Sequence, residues 1–242
     1  MTMKIGLKWY TGNPIKLVRK FVKHTDFMEI MPVPGTDYRR YKQLGQVTIV
    51  HIPHIRFGYN PSNPEREKKT MQLVQHSIEA ADYYGAEKII AHPGLMENKG
   101  CILENTIDFF SSIKDKRLLI ENMHLNSAYG TPFLGAMPED IKRVMKKTGM
   151  GFCLDFAHAA ATSAKIKIPV LDVVKDFMKL KPKHFHICGG YLHRTRDTHS
   201  HLGDGNFPLE EFKKTIGKGW VSVETPHDTV ERQMKDIEFL RK

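Results

Sequence analysis

The chain has 242 residues and 40% hydrophobic content, enough for one sizeable core, and a formal charge of +10 that favours polyanionic partners such as nucleic acid or a phosphorylated substrate. No apolar run approaches the roughly 18 residues a membrane-crossing helix needs, so no membrane partner is expected. Met1–Ile5 lacks the basic, apolar and small-residue order of a secretory signal. Three widely spaced cysteines, Cys101, Cys153 and Cys188, argue against a disulfide framework and for buried thiols in a reducing cytoplasm.

In chain order, short apolar runs alternate with amphipathic stretches. The runs are Met3–Trp9, Phe27–Met31, Gln46–His51, Lys88–His92, Arg117–Glu121, Gly149–Asp155, His184–Cys188 and Gly219–Glu224. Their Ile, Val, Leu and Phe content is that of strands buried on both faces. Between the third and fourth runs, Asn63–Tyr84 reads as a helix. Pro64 suits its first turn, and Met71, Val74, Ile78 and Ala81 repeat at spacings of three and four. Further helices are expected from Pro138 through Met145, with Gly149 beyond the end, then over Val170–Leu180, Leu209–Ile216 and Thr229–Leu240. Eight strands, each followed by a helix or long loop, indicate a single-domain (β/α)8 TIM barrel over 1–242, and the length suits that fold. An open doubly wound sheet is the competitor, but Tyr10–Pro14 carries no dinucleotide fingerprint.

The strand ends carry the chemistry. The third to eighth runs hold, at or near their ends, His51, His92, Glu121, Asp155, His186 and Glu224. In a closed parallel barrel these ends share one rim, where such folds keep their active sites. His158 follows Asp155 by three residues, and Asp197 and His199 stand together in a Gly-flanked loop. Mixed imidazole and carboxylate donors suit zinc and other first-row divalent metals. One His or Asp at a strand end is readily a structural hydrogen-bonding residue or a helix cap. Six successive strands ending this way are not explained by caps, which do not select His or Glu. His24, His76 and His227 read as surface residues. His184 enters its strand from the opposite end. His54, His124, His193 and His201 lie near the rim without an assigned role. Cys153 and Cys188 read as packing thiols whose side chains point away from the neighbouring ligand residues.

The motifs Val50–His51, Ile90–Gly94, Ile120–Asn122, Cys153–Ala159, His184–His186, Asp197–Asn206 and Val223–Pro226 resemble, in order, those of the endonuclease IV group of apurinic/apyrimidinic endonucleases. That group lies within the xylose-isomerase-like barrel superfamily. The resemblance implies three zinc ions per chain, with manganese as an alternative metal. His51, His92 and Glu121 would hold one ion. Glu121, Asp155, His186 and Glu224 would hold a second, with Glu121 bridging, and His158, Asp197 and His199 the third. It implies hydrolysis of DNA on the 5′ side of abasic sites, with Glu121 and Glu224 as catalytic carboxylates, in a cytoplasmic monomer. The resemblance weakens over the first two strands. The family's DNA-entering loop after the second strand corresponds here to Glu29–Gly35, with Arg39 and Arg40 following in a shifted position, and the family's His just after the first strand is replaced by Lys8 or lies elsewhere.

Two other readings have sequence support. A sugar or sugar-phosphate isomerase or epimerase would need only Glu121, Asp155, His186 and Glu224 around a single divalent metal. A non-catalytic binder would keep the cluster and basic charge but cut nothing. The five additional ligand-type residues argue against the first, and the completeness of the site against the second.

Overall fold

The computed structural model describes residues 2–242 except Gln46, Ala128 and Tyr129. Eight parallel strands close into a barrel in sequence order: β1 (Lys4–Tyr10), β2 (Phe27–Met31), β3 (Val47–His51), β4 (Lys88–Ala91), β5 (Leu118–Glu121), β6 (Gly151–Asp155), β7 (His184–Ile187) and β8 (Trp220–Val223). The expected TIM barrel is therefore the observed fold. Gln46, expected to open the third strand, lies outside the described residues. Around the barrel run α1 (Ile15–Val22), α2 (Glu67–Tyr84), α3 (Leu103–Ser111), α4 (Pro138–Thr148), α5 (Phe156–Ile166), α6 (Val170–Met178), α7 (Leu209–Ile216) and α8 (Val230–Arg241). Among the described residues, no helix is long and apolar enough to cross a membrane.

Strand alternation explains both the core and the site. Successive residues of a strand point to opposite faces. Outward residues such as Ile5, Leu7, Ile30, Val50, Ile89, Ile120, Leu154 and Val223 are buried in the main core that includes the helices. Inward residues Phe27, Ile49, Ile90, Leu119 and Cys153, with Trp220 against them, form a separate plug inside the barrel. One alternation step further along the same strands, the inward positions become Glu29, His51, His92, Glu121 and Asp155. From β2 to β6 the interior is thus apolar below and polar above, with the change between residues i and i+2, whereas β7 and β8 place the polar pair His184 and Ser222 in the lower layer. Gly6 makes room for the plug: a Cβ there would lie 2.2 Å from the Phe27 ring.

Local chemistry sets the helix ends. Pro138 occupies the first turn of α4, and Gly149 ends that helix in the left-handed region at φ 76°. The Asn63 side chain accepts from the Glu65 N–H before a 3-10 turn (Pro64–Arg66) that leads into α2, and Gly85 closes α2 at φ 69°. Three helices, α1, α3 and α5, are not among those expected from the sequence, although α1 carries an apolar face that buries Val18 and Phe21 and α3 one that buries Leu103, Ile107 and Phe110. In α5 the reason is physical: Phe156 to Ser163 are all buried, so there is no polar face to contrast with an apolar one. α5 also starts directly at the end of β6, with Asp155 as its cap.

Candidate metal centre

Glu121, at the end of β5 and only 1% exposed, is the hub of the rim cluster. Its Oε2 lies 3.1 Å from His51 Nε2 and 3.2 Å from His92 Nε2. Its Oε1 lies 3.3 Å from His158 Nδ1 and 3.4 Å from His186 Nδ1. Hydrogen bonds behind the cluster set the rings. His51 Nδ1–H donates to the Ile52 carbonyl at 2.7 Å, which leaves the Nε2 lone pair facing Glu121. His186 Nε2–H donates to Glu29 Oε2 at 3.0 Å, which leaves Nδ1 2.6 Å from Glu224 Oε1. In these neutral tautomers imidazole lone pairs face carboxylate oxygens, an arrangement that repels unless a proton or metal cation lies between them.

The donor set fits a divalent metal on three counts. The buried atoms His186 Nδ1, Asp197 Oδ2 and Glu29 Oε1 have no hydrogen-bond partner. Ligand distances of about 2.0–2.1 Å at tetrahedral angles separate donor atoms by about 3.3 Å, close to the spacings around Glu121. Burial disfavours the charges on Glu121 and Glu224, yet the surrounding imidazoles, His186 foremost, together with Lys8 in the case of Glu224, hold both carboxyls well below the usual range. Asp155 behaves differently: burial pushes it up to about 6. Paired or metal-coordinating charges are the form in which such groups are tolerated in an interior.

The nine residues expected from sequence separate into two parts. His51, His92 and Glu121 form one compact ligand group. Asp155, His186 and Glu224 form a second, and Glu121, Asp155 and His158 a third. Asp155 also caps α5, its Oδ1 accepting the His158 N–H at 2.7 Å, so the cap reading and the ligand reading hold for the same residue. Asp197 and His199 sit in the loop between β7 and α7, with His199 Nε2 2.7 Å from Asp197 Oδ2. Cys188 lies within ligand distance of both, and His158, which falls within ligand distance of Glu121 and Asp155, lines the same cleft as Asp197 and His199.

Sequence reasoning missed two residues. Glu29 is fully buried inside the barrel, where it accepts from His186 and from Ser222 Oγ at 2.5 Å. Glu29–Met31 belongs to β2 itself, so the loop assigned to Glu29–Gly35 begins only at Pro32. Its one signal is a lone carboxylate within an otherwise apolar five-residue strand. Lys8 Nζ donates to Glu224 Oε1 at 2.8 Å and lies 3.8 Å from Glu29 Oε1, and these carboxylates raise its pKa against the cost of burial. Cys153 and Cys188 need a correction. Each stands two residues from a ligand residue, so alternation turns both toward the barrel interior rather than away from it. Of the other histidines, His201 is buried between Asp236 (2.6 Å) and Asp228 (2.9 Å), and His227 is half-buried, stacked on Trp9 at 4.1 Å. Above the cluster opens a cleft of about 840 Å³, lined by His158, Asp197 and His199, by Arg56, Arg194 and Arg196, and by apolar residues such as Ile55 and Phe133. Arg39 and Arg40 are not among its lining residues. They sit exposed on a 3-10 helix (Tyr38–Leu44), with Arg39 over the Tyr38 ring.

Fold and cluster together define a closed (β/α)8 barrel with a metal-type donor set at the C-terminal rim of its strands. The chain belongs to the xylose isomerase-like TIM barrel family, whose model matches residues 32–242. Among curated proteins it is similar to a probable endonuclease 4 of Natranaerobius thermophilus, with 26% identity over 267 aligned positions covering 96% of this chain and 87% of the relative. Among solved structures it is similar to a D-tagatose 3-epimerase-like protein, with TM-score 0.77, 23% identity, and 99% of this chain and 96% of that one covered. Endonuclease IV from Thermus thermophilus superposes with TM-score 0.72 at 17% identity, covering 98% and 97%. Structural likeness at these identities speaks for the fold alone.

Proposed function

We propose that the chain is a zinc-dependent phosphodiesterase of the endonuclease IV kind that cleaves DNA on the 5′ side of abasic sites. The observation that carries this reading is the ligand-type set beyond the four-residue core of Glu121, Asp155, His186 and Glu224. His51 and His92 close on Glu121, and Asp197 and His199 stand over the same cleft. The similarity to the Natranaerobius protein and the charge of +10 agree with a DNA substrate.

His51, His92, Glu121, Asp155, His158, His186, Asp197, His199 and Glu224 would hold the metal, three ions per chain. Bound zinc would supply Lewis acidity toward phosphoryl oxygens and lower the pKa of water toward about 7. The chain's own residues do the rest. Arg56, Arg194 and Arg196 line the cleft and offer charge to a phosphodiester. Glu121 would bridge two of the ions, Lys8 fixes the orientation of Glu224, and Glu29 fixes the ring of His186. His124 lines the cleft and is held neutral, its pKa lowered by burial to about 3, so it can donate to or accept from an oxygen without adding charge.

The test is a duplex with one abasic site, incubated with zinc-loaded protein. Cleavage 5′ to the lesion that a chelator stops supports the reading, and an uncut duplex overturns it. A second reading, a sugar or sugar-phosphate isomerase or epimerase with one divalent metal, is favoured by the compact group of Asp155, His186 and Glu224 beside Glu121, which by itself would hold one ion. Metal stoichiometry separates the two, at about three zinc ions per chain against one manganese or magnesium.

A further inference from the structure

We propose that Cys188 is a sulfur ligand of a cation held with Asp197 and His199, so that the outer part of the centre is a mixed sulfur, oxygen and nitrogen site. The inference rests on the metal-centre reading above and specifies which atoms complete it.

Cys188 follows β7 directly and lies two residues after His186, so it shares the inward direction of that ligand residue. It is 1% exposed. Its Sγ lies 3.5 Å from Asp197 Oδ1, and one donor atom from each of Cys188, Asp197 and His199 falls within 4.8 Å of the others. A tetrahedral zinc with about 2.3 Å to sulfur and 2.0 Å to oxygen separates those two atoms by about 3.5 Å. The second, independent observation is Asp197 Oδ2. It is buried without a hydrogen bond, on a side chain 4% exposed, and points at His199 Nε2. His199 Nδ1–H donates to the Glu224 carbonyl at 3.0 Å, so its Nε2 presents a lone pair to that carboxylate. A proton or a shared cation resolves this opposition of acceptors, and sulfur is the third donor within reach of the cation.

The backbone holds the loop in place for this. Gly189 N–H donates to Ser200 O at 2.8 Å, and Ser200 N–H returns to Gly189 O at 3.2 Å. The approach is so close that a Cβ on Gly189 would lie 1.9 Å from the His201 carbonyl oxygen. The residue after Cys188 is therefore fastened to the residue after His199. His158 Nδ1–H donates to the Asn122 carbonyl at 2.8 Å, which leaves its Nε2 free as a donor on the cleft it lines with Asp197 and His199, and Cys188 adds sulfur to that set.

On metal uptake the Cys188 S–H bond breaks, an Sγ–metal bond forms, and the proton leaves to solvent, with no change of oxidation state. A thiolate donor biases the site toward zinc-like cations over manganese or magnesium.

Cobalt(II) makes the sulfur visible, because thiolate coordination adds a near-ultraviolet charge-transfer band that oxygen and nitrogen ligands do not give. The full chain, stripped and titrated with cobalt, is expected to gain this band. Cys188→Ser is expected to lose it and to bind the weakest-held ion at least about tenfold more weakly, while Cys153→Ser and Cys101→Ser keep it. Circular dichroism of each variant shows that the barrel is intact. Cobalt uptake without the band in the wild type overturns the proposal and leaves the metal centre standing, with Cys188 only an S–H donor to Asp197. Retention of the band in folded Cys188→Ser overturns it equally. No cobalt uptake at all overturns the metal-centre reading and this proposal with it.

Discussion

Glu121 serves four imidazoles with two oxygens, so the centre is most sensitive at this residue. Glu121→Gln keeps the volume but removes the charge and one acceptor. Loss of detectable nicking of abasic DNA is expected, with the zinc count reduced, and full activity in this variant would contradict the assignment. Glu29 acts one step back, by accepting the His186 Nε2–H. Glu29→Gln is expected to lower zinc affinity about 10- to 100-fold, read by chelator competition. His158 gives a pH signature. Burial opposes its charge, but Asp155 and Glu121 raise its pKa to about 10, so the metal-free ring is protonated at pH 7. A ligand imidazole must be neutral, so zinc uptake at pH 7 should release the His158 proton together with those of His186 and His199, whose pKa values are also raised, and affinity should rise as pH increases. Calorimetry in buffers of different ionisation enthalpy reads this directly. The same shift favours the metal-free fold at low pH, and that contribution is lost as pH rises through the folded value. Away from the site, Arg117 holds Asp115 by Nε and a terminal nitrogen and lowers its pKa below 3.8. Asp115→Asn should cost about 1 kcal/mol in chemical denaturation at neutral pH. The difference should fade as pH falls below about 4, where the wild-type carboxyl protonates.

At the scale of elements, the strands were the legible part of the sequence. Each is a short apolar run, and the polar residue at its end marks the rim. α2 was legible from its three-four repeat, and α7 over its full extent, Leu209–Ile216. α5 was not, because a helix buried on every side has no amphipathic contrast. Glu29 was hidden for a related reason. A single carboxylate in a five-residue strand has no pattern around it, and only closure of the barrel brings it to His186 from 157 residues away. The approach of Cys188 to Asp197 depends on the Gly189–Ser200 bridge, a contact that residue spacing does not encode. Gly189→Ala tests that bridge. The new Cβ would push the loop away, so the outer ion should be lost and the 191–205 segment should become more susceptible to limited proteolysis. Unchanged metal content would contradict the role given to the bridge.

At the scale of the whole molecule, the barrel converts alternation into function. Phe27, Ile49, Ile90, Leu119 and Cys153 close the interior from below, and the next inward residue of each strand meets its neighbours above. The fold class and the meeting of His51, His92, Glu121, Asp155, His186 and Glu224 at the barrel mouth follow from where the apolar runs end. The net charge of +10 and the arginines of the cleft predict DNA binding that weakens steeply with salt, the logarithm of affinity falling by about 0.9 per phosphate contacted for each unit of log salt. The most direct test of the central claim is anomalous scattering at the zinc edge from crystals of the zinc-loaded protein. The account predicts strong peaks among His51, His92, Glu121, Asp155, His186 and Glu224, with a further peak beside Asp197 and His199. A cleft without anomalous density at saturating zinc would contradict it.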